Sequence, residues 1–196
     1  MHPPLVRRRL LQGLVLVWAA SWLGAGPARG QGQGQGPAPG VELVSLSTSR
    51  QDGQLTLDFA ARVNLTKSVE DALQRGVPVY FVAQAELKRS RWYGRDERVA
   101  RVSRSWRVAY QPLTGTWRVG LGGLQQTLGS LAEAMNTASR SAGWRLADLS
   151  QLDPDSRYTV DFSYRLDTAQ LPGPMQFGLV GQSDWALSVE RSLRVD

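Results

Sequence analysis

RGVPVYFVAQAELKRSRWYGRDER, residues 75–98, is the stretch of sequence that decides the fold. Within it, the apolar residues of the segment 77–87 fall at every second position, and a mixed set of side chains falls between them. This period of two predicts a central β-strand that is well covered on one side and partly covered on the other. Residues 89–98 then form a turn rich in arginine and aromatic side chains, and alternation resumes after it. We therefore predict a long β-hairpin whose tight point is Gly94.

The same alternation recurs along the chain. Seven further segments carry a strand pattern: 41–49, 54–63, 99–110, 116–121, 144–149, 157–167 and 185–195. Gly122 and Gly123 are predicted to end a strand, and the prolines of the segment 168–178 favour a loop over a central strand. About eight strands at short spacing predict a mainly β fold, an antiparallel β-sandwich that is immunoglobulin-like in general architecture.

Two short helices interrupt the strands. The first is predicted over residues 67–74, with Thr66 or Ser68 as the N-cap residue. The second is predicted over residues 131–139, because Ser130 and a glutamate three residues later have the spacing of a capping box. Gly143 is predicted to end this second helix.

The N-terminal residues predict export. Three arginines at positions 7–9 precede an apolar run of 14 residues, 10–23, whereas a membrane-spanning helix needs about 20. We interpret residues 1–28 as a signal peptide of the Sec type. An uncleaved signal that anchors the chain to the inner membrane is the alternative, and a twin-arginine signal is a weaker one. Residues 29–40, rich in Gly, Gln and Pro, predict a flexible linker, and residues 41–196 predict a single periplasmic domain.

Composition excludes several chemistries. The chain has no cysteine, and its one histidine is His2, inside the predicted signal. A Ser-His-Asp triad, a cysteine nucleophile and a zinc site with nitrogen or sulfur ligands are therefore excluded from the domain. Removing the three signal arginines from the 23 Lys and Arg leaves 20 against 17 Asp and Glu, a formal charge of +3. We expect no metal and no cofactor, because no ligand motif is present, and no nucleic acid, because the arginines are interleaved with acidic residues.

Few polar side chains remain for catalysis. A Ser–Lys pair would have to use Lys67 or Lys88, and surface lysines explain both more simply. Paired carboxylates occur at Asp153 with Asp155 and at the hairpin turn. Such pairs could serve a glycosidase mechanism or bind calcium, but neither pair has a specific motif spacing.

The turn is the candidate binding site. It concentrates arginine, aromatic and acidic side chains: Arg91, Trp92, Tyr93, Arg95, Asp96 and Glu97. Trp and Arg together are typical of the residues that dominate protein interfaces. The alternative is structural: Trp92 and Tyr93 fold back as a lid on the core, while the arginines pair with the two acidic residues.

Several segments resemble a known family. They are RGVPVYFVAQAELKRSRWYGRDE, GGLQ, SLAEA, YTVDFSYRLDTAQLPGPMQ and DWALS, in this order. Over residues 41–190 the chain is similar to an exported proteobacterial family named only as a domain of unknown function, number four thousand three hundred and ninety. The resemblance implies no catalytic residues. It implies a gene neighbourhood with a membrane sensor kinase of the nitrogen-response type. Family members carry a more aromatic turn, from which Gly94 departs.

Three hypotheses of function follow. The first is an exported periplasmic binding or accessory module, not an enzyme, that contacts an envelope or membrane protein through residues 89–98 and an exposed sheet edge. A membrane sensor histidine kinase is the partner that the resemblance implies. The second is a carboxylate-only enzyme acting on cell-envelope glycans. The third is a purely structural envelope protein.

Overall fold

The computed structural model describes residues 38–173 and 183–195. The predicted signal peptide, residues 1–28, lies outside the described residues, and so do residues 29–37 of the predicted linker and 174–178 of the predicted loop. The last linker residue, Gly40, already belongs to the first strand.

Nine strands and two α-helices make up the described part of the chain. The strands are β1 (Gly40–Gln51), β2 (Gln54–Asn64), β3 (Val79–Arg89), β4 (Glu97–Gln111), β5 (Thr116–Leu121), β6 (Leu124–Leu128), β7 (Arg140–Asp148), β8 (Tyr158–Leu166) and β9 (Ser188–Val195). The helices are α1 (Lys67–Gln74) and α2 (Leu131–Ala138). Among these residues no helix has both the length and the apolar character to cross a membrane.

The strands form two antiparallel sheets, which confirms the predicted fold class. One sheet has the order β1-β2-β7, and the other has the order β6-β5-β4-β3-β8-β9. This order resembles that of a variable-type immunoglobulin sandwich: β1, β2 and β7 match strands A, B and E, and β9-β8-β3-β4-β5 matches G-F-C-C′-C″, but no described strand takes the place of strand D. The sixth strand of the larger sheet, β6, is added at its edge.

Local sequence explains the first turn and the first helix. Asp52 and Gly53 both have positive φ, 50° and 73°, as a two-residue hairpin turn that matches strand twist requires. Thr66, one of the two predicted N-caps, accepts a hydrogen bond from the Val69 amide at 3.3 Å, and α1 begins directly after it. The predicted bounds of α1 are confirmed.

The second helix ends earlier than predicted. Ser130 caps α2 as expected, but the helix ends at Ala138 with Ser139 as its C-cap, so Gly143 does not end it. β7 begins at Arg140, and Gly143 lies inside it with a φ of 59°. The register of β2 and β7 shifts near this point, and the Asp58 carboxylate accepts a hydrogen bond from the Gly143 amide at 2.5 Å. The glycine therefore serves a bulge in a strand.

Several strand boundaries also differ from the predicted ones, the largest difference being the start of β7 at Arg140 rather than at residue 144. The glycines at 122–123 form a turn into β6, a ninth strand that the pattern did not predict. The predicted central strand began at Val77, whereas β3 begins at Val79, after a proline. The last predicted strand began at Trp185, which lies in a 3₁₀ turn before β9, although its side chain is buried.

The core lies between the two sheets and is rich in aromatic side chains. Phe59 of β2 is its centre: its ring centroid is 4.9 Å from that of Phe162, 5.7 Å from Tyr164 and 5.9 Å from Trp106. The inward residues of β3 are all buried, as the period of two predicted: Val79, Phe81, Ala83, Ala85 and Leu87. The core therefore fixes β3, and with it the base of the long hairpin.

Three polar side chains add specific contacts around this core. The buried Tyr164 hydroxyl donates a hydrogen bond to the Ala138 carbonyl at 3.0 Å and so ties β8 to the end of α2, and burial raises its pKa far above the ordinary value. The Tyr158 hydroxyl, at the start of β8, accepts from the Asp153 amide at 2.8 Å, the tyrosine-corner arrangement of immunoglobulin-like domains. Arg104 of β4 lies 5.3 Å from the Trp144 ring centroid, and partial burial lowers its pKa.

We expect Tyr164→Phe to destabilise the fold by about 1–2 kcal/mol, because it removes one buried hydrogen bond and leaves the Ala138 carbonyl without that donor. Urea unfolding followed by circular dichroism measures the change. Tyr93→Phe, at an exposed position, is the matched control and should leave the midpoint unchanged. Equal midpoints for the two variants would contradict this role of Tyr164.

Candidate functional site

The long hairpin of β3 and β4 ends in a seven-residue loop, residues 90–96, which we call the hairpin tip. The two strands pair from Val79 with Val108 up to Arg89 with Glu97, the last pair before the tip. At its base the tip is attached to β8, since the Ser90 amide donates to the Arg157 carbonyl at 2.8 Å. The arms are thus anchored in the core, and only the tip projects from the sheet.

A carboxylate clamp closes the base of the tip. Glu97 accepts hydrogen bonds from the guanidinium groups of Arg89 and Arg91, the latter at 2.7 Å. These hydrogen bonds, from Arg91 first and from Arg89, hold the pKa of Glu97 below its ordinary value. The Arg91 amide also faces the Asp96 carboxylate at 3.4 Å. The predicted pairing of turn arginines with acidic residues is therefore present, and it organises the loop.

The two aromatic side chains of the tip lie in solvent. Trp92 is 94% exposed and Tyr93 is 67% exposed, so the alternative prediction that they form a lid on the core is wrong. Their rings contact each other instead, with centroids 4.6 Å apart and planes at 63°. Gly94 has a φ of 84°, which an L side chain adopts only with strain, so the glycine lets the chain turn back directly after the aromatic pair.

The tip also presents a guanidinium group that is not neutralised. Within the described residues Arg95 is exposed and has no ion-pair partner, in contrast to the clamped Arg91. At the base of β4, Arg98 is 3.9 Å from Glu86. An exposed arginine beside an exposed Trp–Tyr pair can donate hydrogen bonds to a carboxylate while the rings bury apolar surface.

Three of the four candidate catalytic carboxylates accept hydrogen bonds within the turns that carry them. Glu97 belongs to the clamp, and Asp153 accepts hydrogen bonds from the Asp155 amide at 3.0 Å and the Ser156 hydroxyl at 2.9 Å. These bonds lower the pKa of Asp153, whereas a general acid needs a raised pKa. Three surface cavities formed by the described residues are lined by other side chains, and none of the three is lined by Asp96, Glu97, Asp153 or Asp155.

Lys88 is equally unsuited to act as a base. Its ammonium group is 2.6 Å from the Asp161 carboxylate, and this hydrogen bond raises the lysine pKa, whereas a general base needs a lowered one. Between residues 38 and 173 and between 183 and 195, no three side chains of His, Cys, Asp and Glu are placed to hold a metal ion.

None of these three cavities was predicted from the sequence, and two of them lie on parts of the surface away from the tip. A groove of about 800 Å³ lies between the end of β2 and α2, with Ala61, Val63 and Met135 among its lining residues. A smaller pocket of about 320 Å³ lies on the outer face of the larger sheet, beside Arg107 and Arg118. Both arise from strand register and helix placement, so the residue pattern carried no direct signal for either.

We expect the order of the tip to depend on pH. The depressed pKa of Glu97 means that the clamp is fully formed above pH 4.5, the ordinary pKa of a glutamate, and is lost as the pH falls through the lower folded value. Relaxation of the Trp92 indole ¹⁵N–H, measured by NMR across this range, should report increased motion at low pH. Glu97→Gln should be mobile throughout. A transition centred at or above pH 4.5, or equal order in Glu97→Gln, would contradict the clamp.

Comparison with known proteins identifies the family but adds no relative of known activity. Residues 38–194 match the family described as "Domain of unknown function (DUF4390)". No curated protein and no solved structure matches the chain. The family match extends from before β1 into β9 and confirms the resemblance seen in the sequence. Since it covers well over half of the 196 residues, the chain belongs to this domain family, DUF4390.

Proposed function

We propose that this protein is an exported periplasmic binding or accessory module that contacts an envelope or membrane protein through its hairpin tip. The observation that carries the proposal is the exposure of Trp92, 94%, and Tyr93, 67%, at the end of a hairpin whose arms are anchored in the core. The module acts by binding, without a catalytic step of its own.

The tip has the properties of an interface anchor. Large aromatic side chains that stand exposed together, beside arginine, bury apolar surface when a partner covers them, and Trp, Tyr and Arg dominate the energy of protein interfaces. The clamp at Glu97 restricts the loop before binding, so less conformational entropy is lost on association. The exposed Arg95 guanidinium favours a partner surface that offers a carboxylate beside an apolar pocket.

The tip points away from the start of the domain. Gly40, where β1 begins, pairs with Asn64 at one end of the sandwich. The β1–β2 turn and the tip lie at the other end. The short segment 149–157 connects them there, since the Leu149 amide donates to the Gly53 carbonyl and the Ser90 amide donates to the Arg157 carbonyl. The tip and the first residue of β1 therefore lie at opposite ends of the sandwich.

The location and the partner class rest on the sequence. The apolar run within residues 1–28 supports Sec-type export to the periplasm, with retention as an inner-membrane anchor as the alternative. A membrane sensor histidine kinase is the partner class that the family resemblance implies. The role of a purely structural envelope protein is the competing outcome of the experiment that follows.

We expect the affinity-tagged protein, isolated from membranes of its own host, to recover a sensor histidine kinase identified by mass spectrometry. The double variant Trp92→Ala, Arg95→Ala should lose this partner. Truncating interface anchors costs about 2 kcal/mol or more of binding free energy, which corresponds to a loss of affinity of more than about tenfold.

The matched control removes an exposed arginine and an exposed apolar side chain from the opposite end of the sandwich. Arg75→Ala, Leu113→Ala serves this purpose, because Leu113 is fully exposed in the β4–β5 turn. Recovery of the kinase should be unchanged in this control. Equal recovery by the tip variant would disprove the role of the tip, and the absence of any kinase would leave the structural role as the better account.

A further inference from the structure

A second surface feature lies on the outer face of the larger sheet, across β4, β5 and β6. It is a pocket of about 320 Å³ with these lining residues: Tyr80, Ser105, Arg107, Arg118, Gly120, Gly122 and Gln125. Every polar side chain among them can donate a hydrogen bond, and no carboxylate lines the pocket. The pocket is therefore electropositive, although the domain as a whole carries acidic and basic groups in similar number.

Strand register places the two arginines side by side. Arg107 pairs with Gly120 and Arg118 pairs with Ala109, so the two side chains are diagonal neighbours on one face, with Cα atoms about 7–8 Å apart in such pairs. Neither has an ion-pair partner among the described residues. Elsewhere on the same face Arg101 lies 3.3 Å from Glu86. Two neighbouring like charges without a counter-charge create a site that an anion stabilises.

Gly120 opens the floor of the pocket between the arginines. A Cβ atom added at this position would lie 3.8 Å from the Leu124 carbonyl and 3.9 Å from the Arg107 Cβ, which are ordinary van der Waals contacts. Its φ is not in the left-handed region, so neither packing nor backbone conformation requires a glycine here. A glycine in a strand interior costs stability, and it often marks a point where a ligand approaches the backbone.

We propose that this pocket binds a phosphate group, either free or carried by a small phosphorylated molecule or a lipid headgroup. The Arg107 and Arg118 guanidinium groups donate to the phosphate oxygens, and the Tyr80 and Ser105 hydroxyls and the Gln125 amide supply further donors from the rim. A phosphate carries up to two negative charges and several acceptor oxygens, so it can bridge two guanidinium forks at once. The tip takes no part in this site.

The first test is an NMR titration of the purified protein with inorganic phosphate at low ionic strength. We expect saturable shifts of the amide and side-chain signals of Arg107, Arg118 and Gly120. Arg107→Gln and Arg118→Gln should each weaken binding by about tenfold or more, because each removes at least one charge-assisted hydrogen bond to the phosphate. Arg194→Gln removes an exposed arginine from β9, outside the pocket, and should leave the affinity unchanged.

Gly120→Val separates binding from folding. Valine favours a strand, so thermal unfolding should show equal or greater stability, while the side chain fills the floor of the pocket and abolishes phosphate binding. Unchanged binding in this variant would overturn the proposal. Shifts that do not saturate, or equal affinities for the arginine variants and Arg194→Gln, would overturn it too.

Two further arms identify the source of the phosphate. Glycerol 3-phosphate represents a soluble phosphomonoester, and phosphatidylglycerol vesicles, compared with phosphatidylcholine vesicles, represent an anionic lipid headgroup. Tighter binding to glycerol 3-phosphate than to inorganic phosphate would identify a soluble phosphomonoester as the ligand class, and tighter binding to phosphatidylglycerol vesicles would identify an anionic lipid headgroup. The Trp92→Ala, Arg95→Ala variant should keep full phosphate affinity, so failure of this proposal and failure of the tip proposal are distinguishable.

Discussion

The packing of Phe59 between the two sheets is the interaction on which the rest of the structure depends. Its ring contacts aromatic side chains of both sheets, Trp144 on β7 and Phe162 and Tyr164 on β8. With no cysteine in the chain, no disulfide can join the layers, so apolar burial has to do so. Truncating such a residue costs about 3–5 kcal/mol, a large share of the 5–15 kcal/mol that stabilises an ordinary domain.

This core determines what the hairpin can present. The inward side chains of β3 are buried between β4 and β8 on either side, so the strand cannot shift by one residue without turning its apolar face outward. The fixed register brings Glu97 opposite Arg89, and this pair closes the tip. The apolar core therefore fixes the strands that carry the Arg89–Glu97 ion pair, and this ion pair restricts the loop that exposes Trp92 and Tyr93.

Sequence alone predicted most of the strands and α1, because a half-covered sheet imposes a period of two and a capped helix has local signals. It did not predict β6, since LQQTL is exposed on both faces and shows no alternation. It assigned Gly143 to the end of α2 rather than to a bulge in β7, because both positions favour a glycine with positive φ. The position of Trp92 was undecidable, because a core lid and an exposed anchor use the same residue type. The pocket at Arg107 depends on cross-strand register, which no local pattern reveals.

We propose that the exposed aromatic pair contacts a protein partner in the envelope. A photoreactive p-benzoylphenylalanine placed at Trp92 in living cells tests this claim most directly, with the same residue at Leu113 as the control at the opposite end of the sandwich. We expect a discrete adduct with a membrane protein from position 92 and none from position 113. No adduct at position 92, or the same adducts from both positions, would contradict it.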